Sequence, residues 1–229
     1  MTVLEADRIA ALRDAETKAV QLFEEAIARG LVVPGVGERA LSDQVRDLAN
    51  EMFGVRKFWH KRIVRSGVNT LEPYRSNPPD RTLEADDILF FDFGPIFEDW
   101  EADVGRTYVL GEDQHKHRLA ADLPVIWTQA RDHFAATPDI TGDELFGHVL
   151  ELLTARGWGH GARHAGHLVG EFPHERIEDD QTTSYITTGS DRPMRRLDAA
   201  GQPCHWILEV HLTDRARGFG GFYEQLLDV

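Results

Sequence analysis

Cysteine is nearly missing from this chain: Cys204 is the only one in 229 residues. A single thiol cannot close an intramolecular disulfide, and a thiolate zinc cluster needs several, so both are excluded and a reducing compartment is the expected setting. Positive charge is also short. The 25 Lys and Arg stand against 39 Asp and Glu, a formal net charge of -14. That balance argues against non-specific partnership with nucleic acid or an anionic membrane, because both need clustered basic side chains. No stretch approaches the roughly 18 consecutive apolar residues of a membrane span. The opening segment MTVLEADRIAALRDAETKAV has no apolar h-region behind a basic n-region, so a cytoplasmic location is expected. Short tandem repeats and low-complexity tails are missing as well.

What is present suits a globular enzyme-sized unit, with 41% hydrophobic and 28% charged residues. We expect one domain over residues 1–229. Ile9, Leu12, Val20, Leu22, Phe23 and Ile27 recur mostly at three- and four-residue steps, which predicts a helix from about Glu5 to Ala28. LSDQVRDLANEMFG predicts a second helix ending at Gly54, although Ser42 and Val45 do not complete a capping box. A β-prone segment, FWHKRIVRSGVN, leads to the proline-bearing loop TLEPYRSNPPDRTLEADD. DILFFDFGPIF and DVGRTYVLG then read as an antiparallel strand pair joined by EDWEA. Helical pattern returns between about His117 and Arg156, broken at TPDITGDE, where Thr141 or Asp143 could cap a new helix. The last third holds strand-like GHLVGEF, PCHWILEVHLT and GFGGFYEQLLDV. The order of helix, strands, helices, strands predicts an α+β fold of two similar halves.

Four acids interrupt apolar strands in this pattern. Asp92 lies in FFDFG and Asp103 eleven residues later in ADVGRTY, Glu209 in WILEVHL and Glu224 in GGFYEQLL. Burying an ionised carboxylate is costly without a partner, which can be a basic residue or a metal. The bland alternative pairs Asp103 with Arg106 or another arginine and leaves the glutamates on edge strands. GHGARHAGHLVGEFPHE adds His160, His164, His167 and His174, and His160 and His164 have a zinc-like spacing on a helix that the surrounding glycines disfavour. His167 and His174 stand out by lying in β-like runs. Two aspartates, one histidine and two glutamates make an oxygen-rich donor set with a single imidazole. Such a set suits a pair of divalent ions such as manganese, iron, cobalt or zinc. Phe53, Phe58 and Trp59 could line a pocket or fill the core, and the core is the expectation.

In the order and spacing of these residues the chain resembles the creatinase/methionine aminopeptidase, or pita-bread, metallopeptidases, which include aminopeptidase P and prolidase. Asp92 in DFG resembles that family's first D-x-G strand, Asp103 in ADVGRTY its D-x-x-R-T strand, and GHLVGEFPHE its G-H-x-x-G-x-x-x-H-E segment. Glu209 and Glu224 fall at its last two acidic ligands, and SGVN at 66–69 and LEADD at 83–87 resemble approaches to the first strand. The resemblance covers residues 5 to 229 and implies a pseudo-duplicated catalytic domain with a curved antiparallel sheet flanked by helices, without the large N-terminal domain of aminopeptidase P and prolidase. It implies that Asp92 chelates one metal, His167 and Glu209 the other, and that Asp103 and Glu224 bridge both. The implied activity is an aminopeptidase or Xaa-Pro peptidase acting through a metal-bridging hydroxide. Manganese would be the first choice of metal, with cobalt, iron or zinc as alternatives. Glu209 would shuttle a proton and His174 would hydrogen-bond the substrate carbonyl, in a homodimer.

Several positions depart from that pattern. The loop histidine before the first aspartate strand is replaced in EPYRSNPP, where Tyr74 or Arg75 occupies the substrate-binding place. The common E-P-G reads Glu209-Val210-His211, and the arginine two before the last glutamate is Phe222. These changes touch substrate binding and spare the five ligands. They leave room for hydrolysis of a non-peptide C–N bond in a small metabolite, or for a binding module without catalysis.

Overall fold

The computed structural model describes residues 4–173 and 182–229. Helix α1 (Glu5–Ala28) has the expected bounds and buries Leu12, Ala15, Ala19, Leu22, Phe23 and Ala26 at three- and four-residue steps. Helix α2 (Glu38–Phe53) buries Leu41, Val45, Leu48 and Ala49. It starts earlier than the apolar rhythm predicts, with Gly37 at the N-cap and Ser42 inside the helix. The reason is a contact distant in sequence. The buried Glu38 carboxylate accepts hydrogen bonds from the Ser66 amide at 2.6 Å, the Ser66 hydroxyl at 2.9 Å and Asn69 Nδ2 at 2.9 Å. The first turn of α2 is thereby tied to the SGVN segment.

Strand β1 covers only Ile63–Ser66, and a short 3-10 helix takes Gly67–Leu71, so the expected β-run FWHKRIVRSGVN is strand in its middle alone. Strands β2 (Ile88–Phe93) and β5 (Val104–Val109) pair antiparallel as expected. The acidic link between them makes its own small hairpin, β3 (Ile96–Phe97) with β4 (Trp100–Glu101). Helices α3 (Gln114–Ala136) and α4 (Gly142–Ala155) follow, and Thr141 caps α4 in a full capping box with Glu144. The chain closes with β6 (Gly159–His160), β7 (Gly166–Val169), β8 (His205–Asp214) and β9 (Phe219–Leu226). These strands form one sheet in the order β1-β2-β5-β9-β8-β6, with β7 beside β8, and each pairing is antiparallel.

Each half of the chain supplies a helix pair that covers its own part of the sheet. Helices α1 and α2 pack on Leu89, Phe91, Phe93 and Val104, and α3 and α4 on Leu208, Val210, Leu212 and Phe219. Fully burying one such side chain contributes about 1.5–3 kcal/mol. Strand side chains alternate between faces. The helix-facing residues therefore leave Phe90 and Asp92, Glu209 and His211, and Phe222 and Glu224 on the other face, where all six line a common cavity.

Register then sets the acids in a row. Asp92 lies opposite Gly105, Gly105 opposite Glu224, and Glu224 opposite Glu209. Opposite residues on one face stand about 5 Å apart at Cβ, so three carboxylates from β2, β9 and β8 span the floor. Gly105 gives the row its space. A Cβ there would stand 2.4 Å from the Phe222 ring and 3.0 Å from Glu224 Cβ. Gly105→Ala is expected to cost about 1–3 kcal/mol as overpacking, measured as a lower midpoint in urea denaturation. An unchanged midpoint would mean the row has spare room.

Candidate metal centre

The cavity above this row has a volume of about 690 Å³, and Asp92, Asp103, His167, Glu209 and Glu224 all line it. Asp103 sits just before β5, two residues from Gly105 and so on the same face. His167 enters from β7 opposite Ile207, which shares a face of β8 with Glu209. Asp103 is the centre of the arrangement. Its Oδ2 lies 3.1 Å from His167 Nε2, and its Oδ1 lies 3.1 Å from Nε2 of a second histidine, His60. His60 Nε2 is also 3.5 Å from Asp92 Oδ1. A second cavity of about 640 Å³, walled by Arg131, Arg195, Arg196 and His205, contains none of these groups.

The site is rich in negative charge removed from water. Asp92, Asp103, Glu209 and Glu224 are all buried. Burial first, and then the neighbouring Asp103 and Glu209 carboxylates, push Asp92 up to about 7 against the pull of His60. Glu224 is raised well above the usual range by burial, Asp103 and Asp92. Asp103 goes the other way: burial opposes ionisation, but the His60 and His167 rings on either side hold it low. Glu209 is likewise held down, burial notwithstanding, by His164, whose Nδ1 pairs with its Oε1.

Glu224 Oε2 is buried with no hydrogen-bond partner among the described residues. Ionisation of a buried carboxyl left so, beside three other acids, calls for a cation. The donor atoms of His60, Asp92 and Asp103 all lie within 4.8 Å of one another, and so do those of Asp103, His167 and Glu224. The residues present therefore fit two divalent ions that share Asp103.

Tyr74 and Arg75 also line the cavity. Their loop is held from below. Arg65 donates to the carbonyls of Glu72 and Ser76, and Lys61 donates to Ser76 O at 2.9 Å while its ammonium sits 4.7 Å from the Tyr74 ring centre. His174 lies outside the described residues. Asp103 does not take Arg106, whose guanidinium instead donates to Glu224 O and Gln225 Oε1. His160 and His164 do not share a helix: His160 lies in β6 and His164 reaches Glu209.

One cavity residue fell to the less favoured of its two expectations, and one carried no expectation. Trp59, expected in the core, lines the cavity and donates its indole N–H to Ala102 O at 3.1 Å. His60 was not singled out at all. The one trace in the sequence is Gly94, on the Asp92 face two residues on, where a Cβ would come within 2.2 Å of the Trp59 indole and 2.4 Å of the His60 ring.

Paired helices on an antiparallel sheet, with two aspartates, a histidine and two glutamates converging on its open face, define the class of metallopeptidase-like folds. The chain belongs to metallopeptidase family M24, whose profile matches residues 10–198. It is 31% identical over 142 residues to an Xaa-Pro dipeptidase from Lactobacillus delbrueckii subsp. lactis, a match covering 62% of this chain and 38% of that protein. Prolidase from Pyrococcus furiosus superposes with a TM-score of 0.75 at 21% identity, covering 96% of this chain and 60% of that one. Methionine aminopeptidase from Rickettsia prowazekii gives 0.72 at 14% identity over 99% of this chain and 94% of that one. These likenesses show the pita-bread fold. The chain spans less than half the length of the dipeptidase it matches.

The charge arrangement has a measurable consequence. Although burial opposes it, Asp103, with Asp92 at His60 and Glu209 at His167, raises both imidazoles from 6.5 to about 9. A raised histidine contributes stability that is complete below its unfolded value and is lost as pH rises through its folded value. Chelator-treated protein is therefore expected to lose thermal stability between roughly pH 7 and pH 9, and saturating divalent cation to flatten that decline. Thermal denaturation across this range checks it; a metal-free protein that grows more stable toward pH 9 would contradict the arrangement.

Proposed function

We propose that this chain is a dinuclear metal-dependent hydrolase, an aminopeptidase or Xaa-Pro peptidase, within one catalytic domain over residues 1–229. The observation that carries this reading is the convergence of four buried carboxylates and His167 at the floor of a cavity large enough for a short peptide. The relatives, an Xaa-Pro dipeptidase and a prolidase, support the substrate class. By the family resemblance we further propose manganese as the first ion to try, then cobalt, iron and zinc, in a cytoplasmic homodimer.

We assign Asp92 to one ion, His167 and Glu209 to the other, and Asp103 and Glu224 to both. Bound divalent ions supply Lewis-acid polarisation of a carbonyl and acidify water near neutral pH. The chain's own groups do the rest. Arg75, exposed on the cavity wall, offers a cation to a short peptide's terminal carboxylate. Tyr74 beside it gives the peptide an aromatic surface. Glu209 takes a proton from water and delivers it to the leaving amine nitrogen as the C–N bond breaks, with His164 Nδ1 holding the carboxylate in place. His174 keeps the role of hydrogen-bonding the substrate carbonyl. Phe222 and His211 narrow the cavity beside Phe90, with ring centres 5.5 and 5.8 Å from it. That apolar wall, where the resemblance leads one to expect an arginine, favours small or apolar residues over a long peptide.

The test is a panel of Xaa-Pro dipeptides, Met-Ala peptides and small amidino or N-acyl compounds, assayed with each of the four metals. Turnover of an Xaa-Pro or N-terminal peptide bond is expected. Absence of turnover, together with failure to retain metal, would sink the reading. Asp103→Asn should lower kcat/KM by more than the ~10–100-fold typical of an outer-shell partner, because it removes the charge and one carboxylate oxygen of the residue that would hold both ions. Arg75→Ala should mainly raise KM for dipeptides and leave C-terminally amidated substrates little changed, which steady-state kinetics on the two series will resolve.

A further inference from the structure

We propose that His60 is itself a metal ligand, binding the ion held by Asp92 and Asp103, so that each ion of the pair takes one imidazole. This rests on the dinuclear reading above and changes the donor set that the resemblance implies, which has a single histidine.

The two rings are held in matching ways. His60 Nδ1 lies 2.7 Å from the carbonyl of the next residue, Lys61, and His167 Nδ1 lies 2.7 Å from the carbonyl of its next residue, Leu168. A carbonyl only accepts, so each Nδ1 is the donor. This is the outer-shell arrangement that fixes the tautomer of metal-binding imidazoles and leaves a lone pair on Nε2. Both Nε2 atoms then point at Asp103, one at each oxygen and both at 3.1 Å. In the metal-free protein a proton on each Nε2 serves this contact; once that proton leaves, a lone pair faces the carboxylate oxygen and a cation between them relieves the repulsion. The geometry is thus that of two equivalent cation positions flanking one bridging carboxylate.

His60 is also built into the floor of the cavity. Its side chain is 4% exposed, against 11% for His167. The backbone just before it is attached to the segment that follows the strand carrying Asp92. Trp59 N donates to Gly94 O at 2.9 Å and Ile96 N to Lys57 O at 3.1 Å, with a bridge between Phe58 and Pro95. The Trp59 indole bond to Ala102 O ties the same segment to the residue before Asp103. The absence of a side chain at Gly94 lets the ring approach. Ligands pre-positioned in this way bind without a large ordering cost. Chemically, a second imidazole moves the site from oxygen-only donors on one ion toward nitrogen, which strengthens cobalt, iron and zinc relative to manganese.

Pulsed EPR on the manganese- or copper-loaded full chain, with 15N-labelled histidine, counts coupled imidazole nitrogens without any assay of activity. Coupling from two histidines is expected in the unaltered protein, and one of them should vanish in His60→Asn and the other in His167→Asn. Equilibrium dialysis with elemental analysis should find two tight ions in the parent and one in His60→Asn, the second weakened by more than about 100-fold. The cobalt-over-manganese preference should fall with it. A single coupled histidine in the parent would overturn the proposal, even if the variant fails to fold. Two ions at unchanged affinity in His60→Asn would overturn it equally, and would make His60 a structural ion-pair partner while the dinuclear reading stands. A parent protein that binds no metal, indifferent to Asp103→Asn, would instead remove the dinuclear reading itself.

Discussion

Mutual repulsion among four carboxylates at the open face of one sheet is the constraint around which this molecule is organised. Asp92, Glu224 and Glu209 share a row across β2, β9 and β8, and Asp103 lies beside it. All four are withdrawn from water. Left alone, such a cluster opposes folding, and the raised values of Asp92 and Glu224 record that opposition. Only nearby positive charge makes the arrangement tolerable, from imidazoles or from divalent cations.

The scaffold absorbs this cost by separating its two tasks onto opposite faces. On the helix side, two aromatic and aliphatic layers hold the strands: Phe23 stacks edge-on against Phe91 and Phe93, and Trp127 donates its indole N–H to Leu208 O at 2.9 Å. On the cavity side the same strands present acids and imidazoles. Since alternation along each strand makes one face depend on the other, the hydrophobic layers that specify register also specify how the acids and imidazoles are arranged. A one-residue slip of β9 would send Glu224 into the α3/α4 core.

Function diverges where the strands end and the loops begin. The floor residues are those at which the sequence resembles the family pattern, and the walls are where it departs: Phe222 and His211 line the cavity, and Tyr74 and Arg75 stand on a loop pinned by Arg65 and Lys61. His211 is buried and held down to about 4 by that burial, so it serves as a neutral ring, bonded through Nε2 to Thr70 O at 2.8 Å. A centre with family-like chemistry inside walls of its own is the expected outcome when catalysis depends on a rigid sheet and specificity on loops.

The candidate ligands Asp92, Asp103, His167, Glu209 and Glu224 were legible in the sequence because each lies in or beside an apolar strand-like run, a local pattern that needs no knowledge of the fold. The helix pairs, the β2–β5 pairing and the Thr141 cap follow from equally local signals. What local pattern could not reveal was anything set by backbone meeting backbone across the chain. The early start of α2 depends on Glu38 finding Ser66 and Asn69, and the place of Trp59 on a segment bonded to Gly94 and Pro95. His60 is the clearest case. Nothing in FWHKRI marks that histidine as different from any other in a polar stretch. Its approach to Asp92 and Asp103 is decided by the empty space at Gly94 and by main-chain hydrogen bonds, which carry no side-chain signature. The sequence by itself thus determined which acids would be buried; only the tertiary structure decided which imidazoles would face them, because that depends on long-range main-chain pairing.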